Sequence, residues 1–197
     1  MQAAGFVLAG GASSRMGRNK AFLMLSGRTL IEIVTSAVRE AVGNVTIVGP
    51  PEVYQHLGIP VIPDRTAHAG PLAGIETALS HTTAAGNLPD WNLIVACDMP
   101  NVTPTVLRRI LAEAQAHPDA ACILPCSCVT GFSLTEPLCA AYHKRILPVI
   151  SQALAEGIRK VTDALPKESI HYLPMTNDPA FQNINTPDEW SRVSGRP

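Results

Sequence analysis

Phe6-Val7-Leu8-Ala9-Gly10-Gly11-Ala12-Ser13-Ser14-Arg15-Met16-Gly17-Arg18-Asn19-Lys20 decides how the rest of this chain is read. An apolar run stops at Ala9, and glycines, small residues and positive charge follow. Gly10, Gly11 and Gly17 let the main chain turn tightly and approach a ligand closely. Ser13, Ser14 and the loop amides supply donors, and a concave run of amides cradles an anion. Arg15, Arg18 and Lys20 bring cations to the same place. A strand tip, a glycine loop and cations together read as a phosphate site. The plainer alternative is a strand-to-helix turn with solvated basic residues.

Working outward, apolar runs and amphipathic stretches alternate along the chain. Strands are expected near 4–9, 45–49, 59–62, 92–97 and 120–125, and helices near 29–42, 71–84, 104–116 and 137–156. In the first helix Leu30, Ile33, Val34, Ala37, Val38 and Ala41 share one face. Gly43 is placed to end it. Thr103-Pro104 reads as an N-cap followed by proline in the first turn. Pro148 should kink or split the last of these helices. A strand near 169–173 and a short helix after Thr186-Pro187 complete the pattern. Continuous apolar strands separated by helices indicate an α/β fold, its mostly parallel sheet covered on both faces. Such sheets bind ligands at the carboxyl ends of their strands.

Composition narrows the class. The 197 residues are 46% hydrophobic and 16% charged, which suits one compact domain spanning 1–197. A formal net charge of −1 argues against nonspecific nucleic-acid binding, while a small polyanion needs only a local cationic cluster. No run reaches the ~20 apolar residues of a membrane span. The N-terminus enters the first strand without a cationic leader or cleavage pattern, so a cytoplasmic protein is expected. Five cysteines, an odd number lying mostly in apolar segments, read as reduced buried thiols. The one-residue spacing of Cys126 and Cys128 fits zinc poorly.

Three further motifs follow strands. Asp64 closes Ile62-Pro63-Asp64, and Gly70-Pro71-Leu72-Ala73-Gly74 comes soon after. Pro71 can start a helix whose amides face the same crevice; a proline-capped turn is the alternative. Asp98 ends the strand Leu93-Ile94-Val95-Ala96-Cys97 ahead of Met99-Pro100. A lone carboxylate there can hold a hard dication together with phosphate oxygens, or simply cap a turn. Asn183 and Asn185 fall on one side of an extended segment, ahead of a Thr186 cap, where a ligand role and a turn role are both open.

Glycine loop, carboxylate and cations together suggest phosphoryl or nucleotidyl transfer. Neither Gly-x-x-x-x-Gly-Lys-Ser/Thr nor Gly-x-Gly-x-x-Gly is present, which disfavours P-loop NTPases and dinucleotide oxidoreductases. No serine or cysteine sits in a nucleophile elbow. His68, His81, His117, His143 and His171 are dispersed without a sequence-evident partner, and read as surface or satisfied core residues.

Leu-Ala-Gly-Gly-x-Ser-x-Arg-Met-Gly-x-x-Lys (8–20), Gly-Pro-Leu-Ala-Gly (70–74), Cys-Asp-Met-Pro (97–100) and Asn-x-Asn-Thr-Pro-x-Glu (183–189) closely resemble the molybdenum cofactor guanylyltransferases. The order and spacing extend over essentially the whole chain; Glu136-Pro137-Leu138-Cys139 and 159–163 look like family segments too. The resemblance implies a three-layer α/β/α, Rossmann-like fold of the nucleotide-diphospho-sugar-transferase type. It also implies Mg²⁺-dependent transfer of GMP from GTP to molybdopterin. By position, Leu8, Ala9 and Gly10 contact the nucleotide and Gly11 shapes the loop. Arg15 and Lys20 hold the β- and γ-phosphates, and Asp64 binds guanosine. Asp98 binds nucleotide and Mg²⁺, while Asn183 and Asn185 face the pterin. Arg15, Lys20 and Asp98 are thus the expected catalytic residues. Proteins that deliver or receive the cofactor, molybdoenzymes among them, are the implied partners.

One departure stands out. Family members can carry an asparagine that recognises guanine at the end of the second strand, where this chain has Ile47-Val48-Gly49-Pro50. Base selection then rests on Asp64 and the loop main chain. The chain ends soon after its last motif, so no fused GTP-binding domain is expected. A CTP-dependent cytidylyltransferase is the nearest rival, and Leu-Ala-Gly-Gly rather than Leu-Ala-Ala-Gly favours GTP. A non-catalytic carrier of nucleotide or molybdopterin is the rival from another class.

Overall fold

The computed structural model describes residues 2–10, 19–66, 69–86, 88–129, 132–175 and 179–181, with the side chains of 128, 129, 132 and 133 excepted. Strand β1 (Ala4–Leu8) is buried along its whole length. Because successive side chains of a strand point to opposite faces, Val7 enters one core while Phe6 and Leu8 enter another. A strand of this kind requires cover on both sides.

A small hairpin, β2 (Met24–Leu25) with β3 (Arg28–Thr29), leads into helix α1 (Leu30–Val42). A reciprocal cap fixes the start of that helix. The Glu32 amide donates to Thr29 Oγ1 at 3.4 Å, and Glu32 Oε2 accepts from the Thr29 amide at 2.8 Å. Gly43, at φ 80°, ends it in the left-handed conformation that glycine adopts most readily. Strand β4 (Thr46–Val48), the single turn α2 (Pro51–Tyr54) and strand β5 (Val61–Ile62) follow. Helix α3 (Pro71–Ala85) starts at a proline behind Gly70, whose φ of 77° and ψ of −172° suit glycine alone. Strand β6 (Trp91–Ala96) and helix α4 (Pro104–Ala116) complete the first half, and the Thr103 hydroxyl accepts from the Val106 amide as expected.

The second half departs from simple alternation. Strand β7 (Cys122–Val129) turns back into β8 (Phe132–Thr135), and β9 (Cys139–His143) follows. Helices α5 (Leu147–Ala155) and α6 (Val161–Ala164) precede strand β10 (Ile170–Pro174). The sheet order is β10-β7-β9-β6-β1-β4-β5, with β8 paired to β7. The pairings β1–β4, β1–β6, β4–β5 and β7–β10 are parallel, whereas β9 runs against both β6 and β7. Helices α1 and α4 pack on each other on one face, and α3 and α5 on the other. The expected three-layer, mostly parallel α/β architecture is therefore observed.

The helix expected over 137–156 is corrected. Its first third holds the buried strand β9, and the α-helix begins only at Leu147, after a 3-10 turn over Lys144–Ile146. Pro148 lies in the first turn of α5, where a missing amide costs nothing, so it opens the helix rather than kinking it. The helix expected after Pro187 lies outside the described residues. Among the described residues no helix is long and apolar enough to cross a membrane.

Candidate active site

In the main sheet, β1, β4, β5, β6, β7 and β10 deliver their carboxyl ends to one edge, and there the motif residues gather. Leu8 is the last residue of β1, and its carbonyl accepts the Cys97 amide at 3.1 Å. Ala9 donates to Val48 O at 2.9 Å. Gly49, just past β4, donates to Ile62 O at 3.0 Å. The tips of β1, β4, β5 and β6 are thereby stitched together before any loop begins. Leu8 and Ala9 are buried, and Gly10 is the first exposed residue past β1. A Cβ on Gly74 would lie 3.2–3.3 Å from the Leu8 methyls, so α3 rests directly on the β1 tip.

Gly10 faces Asp64. A Cβ built on Gly10 would overlap the Asp64 carboxylate. A side chain at this position would displace the Asp64 carboxylate, and the end of β5 and the start of the glycine loop share one surface. Burial pushes the Asp64 carboxyl above the usual carboxylate range. The next residue is tied down by α3: the Arg65 amide donates to Thr77 Oγ1 at 3.0 Å, and Arg65 Nε lies 3.7 Å from Glu76 Oε2. Glu76 itself is buried and accepts from Ser80 and Ser151 hydroxyls.

Asp98 lies two residues past β6 at the same edge, half-buried. Fully buried Met99 anchors the turn that follows it. The Cys97 thiol reports the charges around it. Desolvation, then the Asp98 carboxylate, raise it to about 12, and the Lys20 ammonium pulls in the opposite direction. Lys20 and Asp98 are thus both neighbours of Cys97 at the β6 tip. Lys20 opens a short 3-10 turn, Lys20–Phe22, in which Asn19 Oδ1 accepts the Ala21 amide at 3.1 Å.

Sequence reasoning missed the device that holds the loop. The Tyr54 hydroxyl donates to Ala9 O at 2.9 Å and accepts from Asn19 Nδ2 at 3.1 Å. One buried phenol thus ties the residue before the loop to the residue after it. Burial pushes that phenol up to about 12, so it stays protonated and able to donate. Phe22 stacks on the ring, centroids 5.7 Å apart. Glu136 stands at the same edge, just ahead of β9. Its amide donates to Pro125 O at 2.9 Å, and burial raises its carboxyl.

The described structure thus brings Leu8, Ala9, Gly10, Lys20, Asp64 and Asp98 to one edge. Gly11, Arg15, Asn183 and Asn185 lie outside the described residues.

A sheet covered on both faces, with a glycine loop after β1 and carboxylates beyond β5 and β6, defines an α/β nucleotidyltransferase. Residues 5–169 match the family described as the MobA-like NTP transferase domain. The chain belongs to that family. A probable molybdenum cofactor guanylyltransferase from a Nostoc species is 32% identical over 193 residues, covering 96% of this chain and 89% of its own. One from Synechococcus elongatus is 35% identical over 204 residues and covers 98% of both. In three dimensions the chain is similar to molybdopterin-guanine dinucleotide biosynthesis protein A from Archaeoglobus fulgidus. That structure has a TM-score of 0.78 and 27% identity, over 98% of this chain and 97% of the other.

Proposed function

We propose that this chain transfers GMP from GTP to molybdopterin, releasing pyrophosphate and forming molybdopterin guanine dinucleotide, with Mg²⁺ held at Asp98. The names of its full-length relatives support the substrates. The observation that carries the reading is the gathering of the motif residues at one sheet edge: the Cys97 amide, next to Asp98, is bonded to Leu8 O at the head of the glycine-rich segment, and Gly10 abuts the Asp64 carboxylate.

The donor set suits magnesium. Asp98 offers hard carboxylate oxygens at a half-buried strand tip, and Mg²⁺ is commonly held by one or two carboxylates plus substrate phosphates. When bound, the ion supplies charge neutralisation on the triphosphate. The remaining roles belong to the chain. Lys20, and Arg15 from the loop, hold the β- and γ-phosphates, while Gly10 and Asp64 line the guanosine. Leu8 and Ala9 contribute mainly by fixing where that loop begins, since Leu8 O, Ala9 N and Ala9 O are already bonded within the protein. A molybdopterin phosphate oxygen bonds to the α-phosphorus as the bond to the β-phosphate oxygen breaks, in line. The attacking phosphate is anionic at neutral pH, so the site needs no general base. Positioning and charge stabilisation carry the rate. Asn183 and Asn185 face the pterin in this reading. A cytoplasmic setting belongs to this reading, with cofactor-biosynthesis proteins or molybdoenzymes as donors and acceptors of the pterin.

Pyrophosphate release tests this directly. With GTP, Mg²⁺ and molybdopterin the protein should turn over, with CTP a poor substitute. Asp98→Asn should slow the reaction at least about 100-fold, the scale of losing a charge-stabilising group in such a site. Near-normal turnover by that variant, or preference for CTP, defeats the assignment.

A further inference from the structure

Helix α4 begins beyond the carboxyl end of β6 and returns along the sheet, so its last turn lies at the edge opposite the glycine loop. Two potential ligands leave that turn on one helical face, Glu113 and His117, four residues apart. The second residue of β10, His171, comes up beside them. Glu113 Oε2 lies 3.4 Å from His117 Nδ1 and 3.4 Å from His171 Nε2. The two imidazoles stack with centroids 3.5 Å apart.

Those spacings are long for N–H···O hydrogen bonds, which centre near 2.9–3.0 Å. They equal two edges of a coordination polyhedron, since two ligands each ~2.0–2.1 Å from a tetrahedral ion lie about 3.3 Å apart, and the stacked rings must swing open to about 5 Å between centroids for both nitrogens to face one ion. His117 Nδ1 is also 3.1 Å from the Glu113 carbonyl, which already accepts the His117 amide at 2.9 Å. Turning that ring nitrogen to a metal therefore leaves no carbonyl unpaired. The three side chains border a cleft lined also by Pro118, Asp119, Ala120 and Glu168. Its two further carboxylates favour a cation, and its opening leaves room for water to complete the shell.

We propose that Glu113, His117 and His171 form a binding site for a divalent transition-metal ion, zinc being the best match, that clamps the end of α4 to the edge strand β10. Two imidazoles and a carboxylate suit zinc, cobalt or nickel, and are a poor set for magnesium. The site is separate from the nucleotide edge and does not depend on the reaction proposed there.

Calorimetric titration of the full chain with ZnCl₂, paired with the visible spectrum of the Co²⁺ form, tests this. Wild type should bind about one ion per chain, unaffected by millimolar Mg²⁺, and the cobalt spectrum should lack thiolate-to-metal charge-transfer bands. His171→Asn and Glu113→Gln, both at partly exposed positions, should each weaken binding at least about tenfold. Thermal unfolding should show the wild type stabilised by Zn²⁺ and the variants not. Equal affinity in the variants, thiolate bands, or no binding of Zn²⁺ overturns the proposal.

Discussion

Asp64 is asked to do two things that conflict. Its carboxylate faces Gly10 at the nucleotide edge, and burial raises its pKa above the free value. Folding therefore favours the protonated form. The ionised form costs stability above the folded pKa, and the cost is absent below the unfolded value near ~3.9. Asp64→Asn should accordingly raise the melting temperature at pH 7–8. The gain should shrink as pH falls through the folded pKa and be gone below about pH 4. GTP affinity should fall in the same variant, a stability–function exchange common at binding sites. Thermal denaturation across pH measures the first effect and GTP titration the second; a variant less stable than wild type at pH 8 contradicts the argument. Cys97 is a different kind of neighbour. With its thiol raised to about 12 it is neutral at physiological pH, and serves as packing at the β6 tip rather than as a nucleophile.

Among the elements, the single turn α2 does more than its four residues suggest. It carries Tyr54, whose hydroxyl grips Ala9 and Asn19 from 45 and 35 residues away in sequence. Tyr54→Phe keeps the ring and its stack on Phe22 but releases both ends of the loop. A loss of about 1–2 kcal/mol in unfolding free energy is expected from the broken hydrogen bonds. The KM for GTP should rise more than kcat falls, because the hydroxyl positions the loop without touching reacting atoms. Chemical denaturation and steady-state kinetics check the two parts; an unchanged KM removes the tether from the function. Nothing local in Pro51-Glu52-Val53-Tyr54 announces this role, since the partners are set only by the parallel pairing of β1 with β4. The elements that were legible have strong local signals: the spaced apolar face of α1, Thr103-Pro104 before α4, Pro71 at the head of α3. Cys139-Ala140-Ala141-Tyr142 has no such signal, for a short apolar run fits a buried strand and a buried helix equally well. Its pairing with β6 and β7 decides the matter. The placement of side chains followed the same rule. The position of Asp64 and Asp98 at the sheet edge was legible because each follows a strand, whereas the histidines at 117 and 171 meet only once α4 and β10 are packed.

For the molecule as a whole, the spacing between layers is set by a residue with no side chain. A Cβ on Gly5 would fall 2.6 Å from Val38 Cγ1, 2.8 Å from Val42 Cγ2 and 2.7 Å from Asn44 O. Helix α1 therefore lies on β1 as closely as the backbone permits. The Gly5 amide also donates to Asn44 Oδ1 at 2.8 Å, locking the helix exit to the strand. Gly5→Ala should lower the unfolding free energy by about 1–3 kcal/mol through overpacking. Because β1 carries the start of the glycine loop, part of that strain should reach GTP binding. Equilibrium denaturation measures the first quantity; a variant as stable as wild type means the layers yield more easily than this contact implies.

The strand order has a consequence for how such a protein can change. To one side of β6 stand β1, β4 and β5, built before residue 63; to the other stand β9, β7, β8 and β10, built after residue 121. The crevice is thus assembled from two consecutive stretches of chain that meet along one central strand. The chain through β6 and its following turn, as far as Asp98, carries the residues assigned to the triphosphate and base, and the later stretch is left for whatever accepts the nucleotidyl group. Recombination near residue 100 could exchange acceptors while keeping the donor, making this fold a ready source of enzymes that share a nucleotide and differ in what they decorate.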